Sequence, residues 1–249
     1  MKRFLNKTVM ITGAGANIGK EIALSFAREG ANVVVCDYKE ENAMRTVTEI
    51  EALGVKAMPA VCDVRDREKI FAYVDEANQK FGKIDVLVNN AGGSAWLLRK
   101  LTKFVDAEQS TLDFVIDTNL KGSMYCAQAV LKRMIETEGG HIINISSIAA
   151  LTGLVDRVDY SAAKAAVIGM TKALAMEVGQ YNILVNSIAP GAIERDGYKR
   201  DHMTYLGKNG REGKPKNIAD TVLFLASQDY ITGENIVVDG GRTLGVSHL

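Results

Sequence analysis

Short runs of branched and aliphatic residues recur along the chain, each followed by a longer stretch in which apolar residues return every three or four positions. The runs at 8–12, 32–36, 56–61, 86–88, 141–145 and 183–188 are apolar at successive positions, the pattern of strands buried on both faces. The stretches at about 18–29, 40–53, 66–80, 107–136 and 159–179, and later 215–226, carry the helical period. Strand and helix alternate, which predicts a doubly wound α/β fold with helices on both faces, because parallel neighbours need crossover connections and helices supply them. In such a sheet ligands bind beyond the carboxyl ends of the strands, where the strand order reverses. Chemistry is therefore to be sought at strand ends.

Composition narrows the partners. The 249 residues balance 30 Lys and Arg against 30 Asp and Glu, so no net field attracts nucleic acid or an anionic membrane. No Pro/Ser-rich linker or charge block divides residues 1–249, which read as one domain, and no window is long and apolar enough to span a bilayer. The opening Met-Lys-Arg-Phe-Leu-Asn-Lys lacks a signal-type apolar stretch. Cys36, Cys62 and Cys126 are odd in number and form no Cys/His cluster, so neither a disulfide framework nor a metal site is expected. The expectation is a cytoplasmic protein with a small-molecule partner.

Two strand ends carry a nucleotide-binding pattern. The first runs into Thr12-Gly13-Ala14-Gly15-Ala16-Asn17-Ile18-Gly19, a small-residue turn opening a helix, which can bring backbone N–H groups and a helix N-terminus against a diphosphate. A tight strand-to-helix turn needs glycine in any case, so context decides. The second strand ends at Asp37, 18 residues beyond Gly19, close to where such folds place the carboxylate that bonds the adenosine ribose hydroxyls. Asp37 repels a 2′-phosphate and neither Ala16 nor Tyr38 offers a cation, which favours NAD over NADP; Lys39, just beyond, is the counter-argument.

Proton chemistry is suggested by Ser147, Tyr160 and Lys164. Tyrosine and lysine four apart share one helix face, where an ammonium beside a phenol lowers the phenol's pKa toward the range of a working acid/base. The Ser147 hydroxyl can donate to a substrate oxygen. The plainer reading is a tyrosine packed under a lysine stem.

Taken together these residues resemble the short-chain dehydrogenase/reductase family in its form of about 250 residues, nearly end to end. Thr12-Gly13, Asn17 and Gly19 match its glycine-rich turn, Asn89-Asn90-Ala91-Gly92 its Asn-Asn-Ala-Gly motif, and Asn119, Ser147, Tyr160 and Lys164 its catalytic set. The resemblance implies a Rossmann-type, mostly parallel seven-stranded sheet whose last strand lies near Ile236. It implies an oxidoreductase interconverting a secondary alcohol and a ketone, assembled as a homotetramer. Tyr160 would be the acid/base, Lys164 would lower its pKa and hold the nicotinamide ribose, Ser147 would orient the substrate oxygen, and Asn119 would hold a proton-relay water. The cofactor contacts implied are Gly13, Gly15, Asn17, Ile18, Gly19, Asp37, Asp63, Val64, Asn90, Ala91, Gly92, Tyr160, Lys164, Pro190, Gly191 and Ile193. For Asp63 a helix N-cap is the competing reading.

Two positions depart from the family pattern. Asn17 replaces a glycine, though asparagine tolerates left-handed backbone angles. Arg195 stands where the family often has threonine, either aiming a cation at the substrate or marking a mobile lid at about 192–211. Substrate choice falls to loops 93–103, 152–159 and 192–211; Asp156, Arg157 and Asp159 beside the tyrosine suggest a small polar substrate such as a sugar, polyol or hydroxy acid, while Trp96 keeps a ring substrate in view. The rivals are a 3-oxoacyl-(acyl carrier protein) reductase, a hydroxysteroid dehydrogenase, and a cofactor-binding sensor without turnover. The first would require a basic docking surface, whereas the turn before the fifth strand carries Glu136 and Glu138.

Overall fold

The structure, a computed structural model, describes residues 2–195, 207–208 and 210–244. Seven strands, β1 (Thr8–Thr12), β2 (Asn32–Asp37), β3 (Ala57–Val61), β4 (Val86–Asn89), β5 (Gly140–Ile145), β6 (Ile183–Pro190) and β7 (Asn235–Val238), form a single sheet in the order β3-β2-β1-β4-β5-β6-β7. Every pairing is parallel, so the sheet is wholly rather than mostly parallel. Pro59 sits in β3, where an edge strand tolerates a residue that cannot donate to the ladder.

The helices are α1 (Asn17–Arg28), α2 (Glu40–Glu51), α3 (Arg67–Phe81), α4 (Gln109–Ile116), α5 (Gly122–Glu136), the single turn α6 (Ala149–Thr152), α7 (Val158–Val178) and α8 (Pro215–Ala226). Side chains alternate across β1: Val9 and Ile11 enter a core with Ile22 and Phe26 of α1, Val47 of α2 and Val222 of α8. Met10 enters a second core on the other face, with Ile70 and Val74 of α3, Val130 of α5 and Val178 of α7. Burial on both faces explains the unbroken apolar runs of the strands. Each large side chain so buried contributes about 1.5–3 kcal/mol.

The stretch expected as one helix over 107–136 departs from that expectation in its middle. Residues Asp117–Lys121 form a π-helical turn joining α4 to α5, one residue too many for the α repeat. Such insertions leave the apolar periodicity almost unchanged, so the sequence pattern does not reveal them.

Candidate active site

β1 is hydrogen-bonded to β2 on one side and to β4 on the other, so the crossover direction reverses between β1 and β4 and a crevice opens beyond their carboxyl ends. The Gly13–Gly19 turn lies on one lip. Gly13 and Asn17 both take left-handed angles, φ 64° and 48°, and asparagine carries that conformation as expected. Ala16 caps α1 with no side-chain bond and the first turn holds no acidic residue, which leaves the positive end of the helix facing the turn. Ile18 packs down against the core beneath it.

Asp37 holds this turn from the side. It is 6% exposed; one carboxylate oxygen accepts from the Gly15 N–H at 2.9 Å and the other from the Lys39 N–H at 2.9 Å. A Cβ on Gly15 would stand 2.7 Å from that carboxylate oxygen and 2.5 Å from Asn42 Cβ, so only glycine fits. The Lys39 ammonium lies over the Tyr38 ring, 5.6 Å from its centre.

From the β4 side, Asn90 donates its side-chain amide to the Thr12 carbonyl (2.9 Å) and the Gly13 carbonyl (3.2 Å). The Thr12 hydroxyl accepts from the Asn90 and Ala91 N–H groups at 3.0 and 2.9 Å. Thr12, quoted above only as part of the turn, is thus its second brace; a hydroxyl at the last position of a strand was the available signal. The neighbouring Asn89 amide donates to Asn144 at 2.9 Å, tying β4 to β5.

Asp63 is not the helix cap. Asp66 caps α3 by accepting from the Lys69 N–H at 3.1 Å, while Asp63 is gripped by the Arg65 guanidinium at 2.6 Å, which holds its carboxyl below the usual range. The Arg65 guanidinium itself lies 4.8 Å above the Phe114 ring. Val64 is buried, and a Cβ on Gly122 would come within 2.7 Å of its side chain.

The chemical groups lie along β5 and α7. Lys164 is 3% exposed and its ammonium donates to the Ile145 carbonyl at 2.7 Å; the Ser146 hydroxyl holds the Lys164 carbonyl at 2.8 Å. Asn119, fully buried within the π-helical turn, donates to the Gly93 and Val115 carbonyls and accepts from the Gly93 N–H at 3.1 Å. Gly92 lies between the two: a Cβ there would come within 2.5 Å of the Asn119 side-chain oxygen and 3.1 Å of the Lys164 ammonium. Both amide hydrogens of Asn119 are thereby committed to carbonyls and its oxygen to a backbone N–H, so the side chain is fixed from three directions.

Tyr160 and Lys164 share a face of α7, with the ammonium 5.8 Å from the centre of the phenol ring. The expected lowering of the phenol's pKa by that ammonium is not realised. Burial pushes Tyr160 upward, and the opposing influences come from the Ser147 hydroxyl, Arg195 and Arg157. Burial also depresses Lys164, to about 8. The same desolvation acts on both partners, favouring a protonated phenol and weakening the lysine's hold on its own proton. Ser147 follows β5, and its oxygen accepts from the Ala149 N–H at 3.1 Å.

Pro190 ends β6, and Gly191 passes so close to β7 that a Cβ would meet Asp239 Cα at 2.7 Å. Ile193 is buried and bridges to Gly213, with the Glu194 N–H donating to the Gly213 carbonyl at 2.8 Å. Most of the expected lid at 192–211 and the side chain of Trp96 lie outside the described residues. Among the described residues no group of three or more His, Cys, Asp and Glu side chains is arranged to hold a metal ion, and no helix is long and apolar enough to cross a membrane.

A family model described as short chain dehydrogenase matches residues 7–203. The chain belongs to the short-chain dehydrogenase family. It is 41% identical over 248 residues to the (2S)-((R)-hydroxy(phenyl)methyl)succinyl-CoA dehydrogenase subunit BbsD of Thauera aromatica, covering 96% of this chain and 97% of that one. It is likewise 41% identical to a 3-oxoacyl-(acyl-carrier-protein) reductase of Thermotoga maritima, over 97% of this chain and all of that one. Among solved structures, a 3-oxoacyl-(acyl-carrier protein) reductase of Brucella melitensis with bound NAD matches at a TM-score of 0.88 and 34% identity, over 96% of this chain and 93% of that one.

As a short-chain dehydrogenase the chain is an oxidoreductase acting on alcohol and carbonyl groups of small molecules, with a nicotinamide cofactor. The crevice fits such a cofactor: the Gly15 position admits no side chain, the α1 terminus faces the turn, and a buried carboxylate stands at its side.

Proposed function

We propose that this short-chain dehydrogenase interconverts a small polar secondary alcohol and its ketone, with NAD as its cofactor. The observation that carries the reading is the partly buried Tyr160 phenol with the Ser147 hydroxyl beside it and the Lys164 ammonium behind it on α7. The nicotinamide supplies or accepts the hydride. In the reductive direction Ser147 donates a hydrogen bond to the ketone oxygen, and Tyr160 gives that oxygen its proton as carbon takes up hydride. Lys164 then faces the phenolate, and Asn119 holds a water through which the proton is replaced; oxidation reverses each step.

On the cofactor side, Asp37 would accept from the adenosine ribose hydroxyls and Lys164 would hold the nicotinamide ribose. Gly13, Gly15, Asn17, Ile18 and Gly19 would line the diphosphate, with Asp63, Val64 and Asn90–Gly92 toward the adenosine and Pro190, Gly191 and Ile193 toward the nicotinamide. NAD is supported by the buried Asp37 carboxylate and by Lys39, whose ammonium lies on Tyr38. A homotetramer is supported by large apolar side chains left exposed on several elements: Met124 on α5, Met176 on α7, Phe224 on α8, and Tyr230, Val237 and Leu244 further on. Three unpaired cysteines accord with a reducing cytoplasm. The whole chain would act as one domain with residues 192–211 over the substrate.

A panel of sugars, polyols and hydroxy acids, assayed with both cofactors by nicotinamide absorbance, tests this. Turnover of only hydroxysteroids, or a lower KM for NADP than for NAD, would overturn it. A second reading, 3-oxoacyl-(acyl carrier protein) reductase, has the name of the 41%-identical Thermotoga relative in its favour. NADPH-dependent reduction of acetoacetyl-acyl carrier protein faster than any alcohol in the panel would replace the first reading with it.

A further inference from the structure

Arg157 precedes Tyr160 by three residues, at the N-cap of α7, and is partly buried. Its guanidinium makes one side-chain contact among the described residues, a 2.9 Å hydrogen bond from Nη1 to the hydroxyl of Ser94. Ser94 is itself buried and follows Gly93, the residue held by Asn119. The guanidinium is therefore fixed on the Asn119 side of the crevice, between the end of β4 and the start of α7.

Among the described residues no carboxylate pairs with it. The two nearest in sequence, Asp156 and Asp159, are engaged elsewhere: both line a shallow surface pocket together with Lys100, Thr102 and Phe104, and Asp159 also accepts from the Tyr160 N–H at 2.7 Å. Lys100, the cation of that pocket, is paired with Glu108 at 2.6 Å. A half-buried guanidinium with five N–H donors and one neutral acceptor is an incomplete arrangement, since such groups ordinarily meet a planar anion in bidentate fashion.

From this geometry we infer that the substrate carries a carboxylate close to the reacting carbon, and that Arg157, oriented by Ser94, is the residue that binds it. The inference rests on the alcohol/ketone reading above and narrows its substrate class from polar alcohols in general to hydroxy acids and oxo acids. Arg157 is a specificity-determining residue here; proton transfer stays with Tyr160.

The test uses matched pairs: 2-, 3- and 4-hydroxyalkanoates, each against its methyl ester, with NAD and the whole enzyme. In at least one pair the free acid should exceed its ester in kcat/KM by roughly 10- to 100-fold, the range of a hydrogen-bonded charge contact. Arg157→Met should collapse that ratio toward one, mainly through KM of the acid, while Arg157→Lys should keep part of it. Ser94→Ala should lower the ratio by a smaller factor. A purely structural arginine would lower acid and ester rates together and leave the ratio intact, which overturns the inference. Equal rates for acids and esters in the unmodified enzyme overturn it as well, while leaving the alcohol/ketone reading standing; inertness of all alcohols and ketones would instead remove that reading.

Discussion

The two lips of the crevice are built on opposite principles. On the β1–β2 side, nearly every polar group has a partner within the chain: Asp37 is bonded to Gly15 and Lys39, Asn90 to Thr12 and Gly13, and Asp63 to Arg65. Shape is what this lip offers. On the β5–α7 side, ionisable groups that are buried or partly buried are left out of balance among the described residues: Lys164 meets a carbonyl and no carboxylate, Tyr160 is desolvated, and Arg157 meets a serine. That lip holds electrostatic stress which a bound substrate and cofactor would relieve, at some expense to the stability of the empty protein. One side of a binding crevice can thus be inert scaffolding while the other is deliberately uncomfortable.

The comparison breaks first at Tyr160. Tyr160→Phe should lower kcat by about 10²- to 10⁴-fold, the usual contribution of a positioned acid/base, with NADH affinity by fluorescence titration changing less than threefold. Retained turnover would remove the proton-transfer role.

Lys164→Met probes the stress directly. Depression of the lysine pKa from 10.5 to about 8 corresponds to a folding cost of roughly 3 kcal/mol, partly offset by its bond to Ile145. Because the folded value lies below the unfolded one for a cationic group, the cost is fully present below pH 8 and fades as pH rises toward 10.5. The cofactor-free variant should therefore melt above the unmodified protein at pH 7, with the gap closing between those values. A gap independent of pH would mean that the lysine is not strained by burial.

On the quiet lip the effects are smaller. Asp37→Ala should raise KM for NAD by about 10-fold and shift preference toward NADP, a loss of about 1–3 kcal/mol for a charged acceptor. Asp63→Ala, which removes only a half-exposed pair with Arg65, should alter Tm by no more than about 1 kcal/mol allows, and differential scanning would detect anything larger.

Much of this was legible in the order of residues. The apolar runs mark six strands within a residue or two, and 159–179 anticipates α7, because burial on two faces and the helical period leave direct traces. The expected catalytic side chains also come together, with Gly92 between Asn119 and Lys164. What the sequence did not disclose depends on the surroundings of a group. The π-helical turn at Asn119 leaves periodicity intact, the direction of the Tyr160 shift is decided by burial rather than by spacing, and Asp66 rather than Asp63 caps α3 because the chain after β3 makes an extra turn.

The position of β1 between β2 and β4 has a consequence for how the protein is made. The crevice draws on residues from the turn after β1 to Ile193 beyond β6, so it is not complete on the ribosome until β6 and the residues after it have emerged. Its formation also waits for β4 to cross back and dock beside β1, a pairing of distant segments that is slow compared with closing any single helix. A ligand bound there can recognise only the finished chain. At a hundred times its Kd it would add about 2.7 kcal/mol to the assembled state alone.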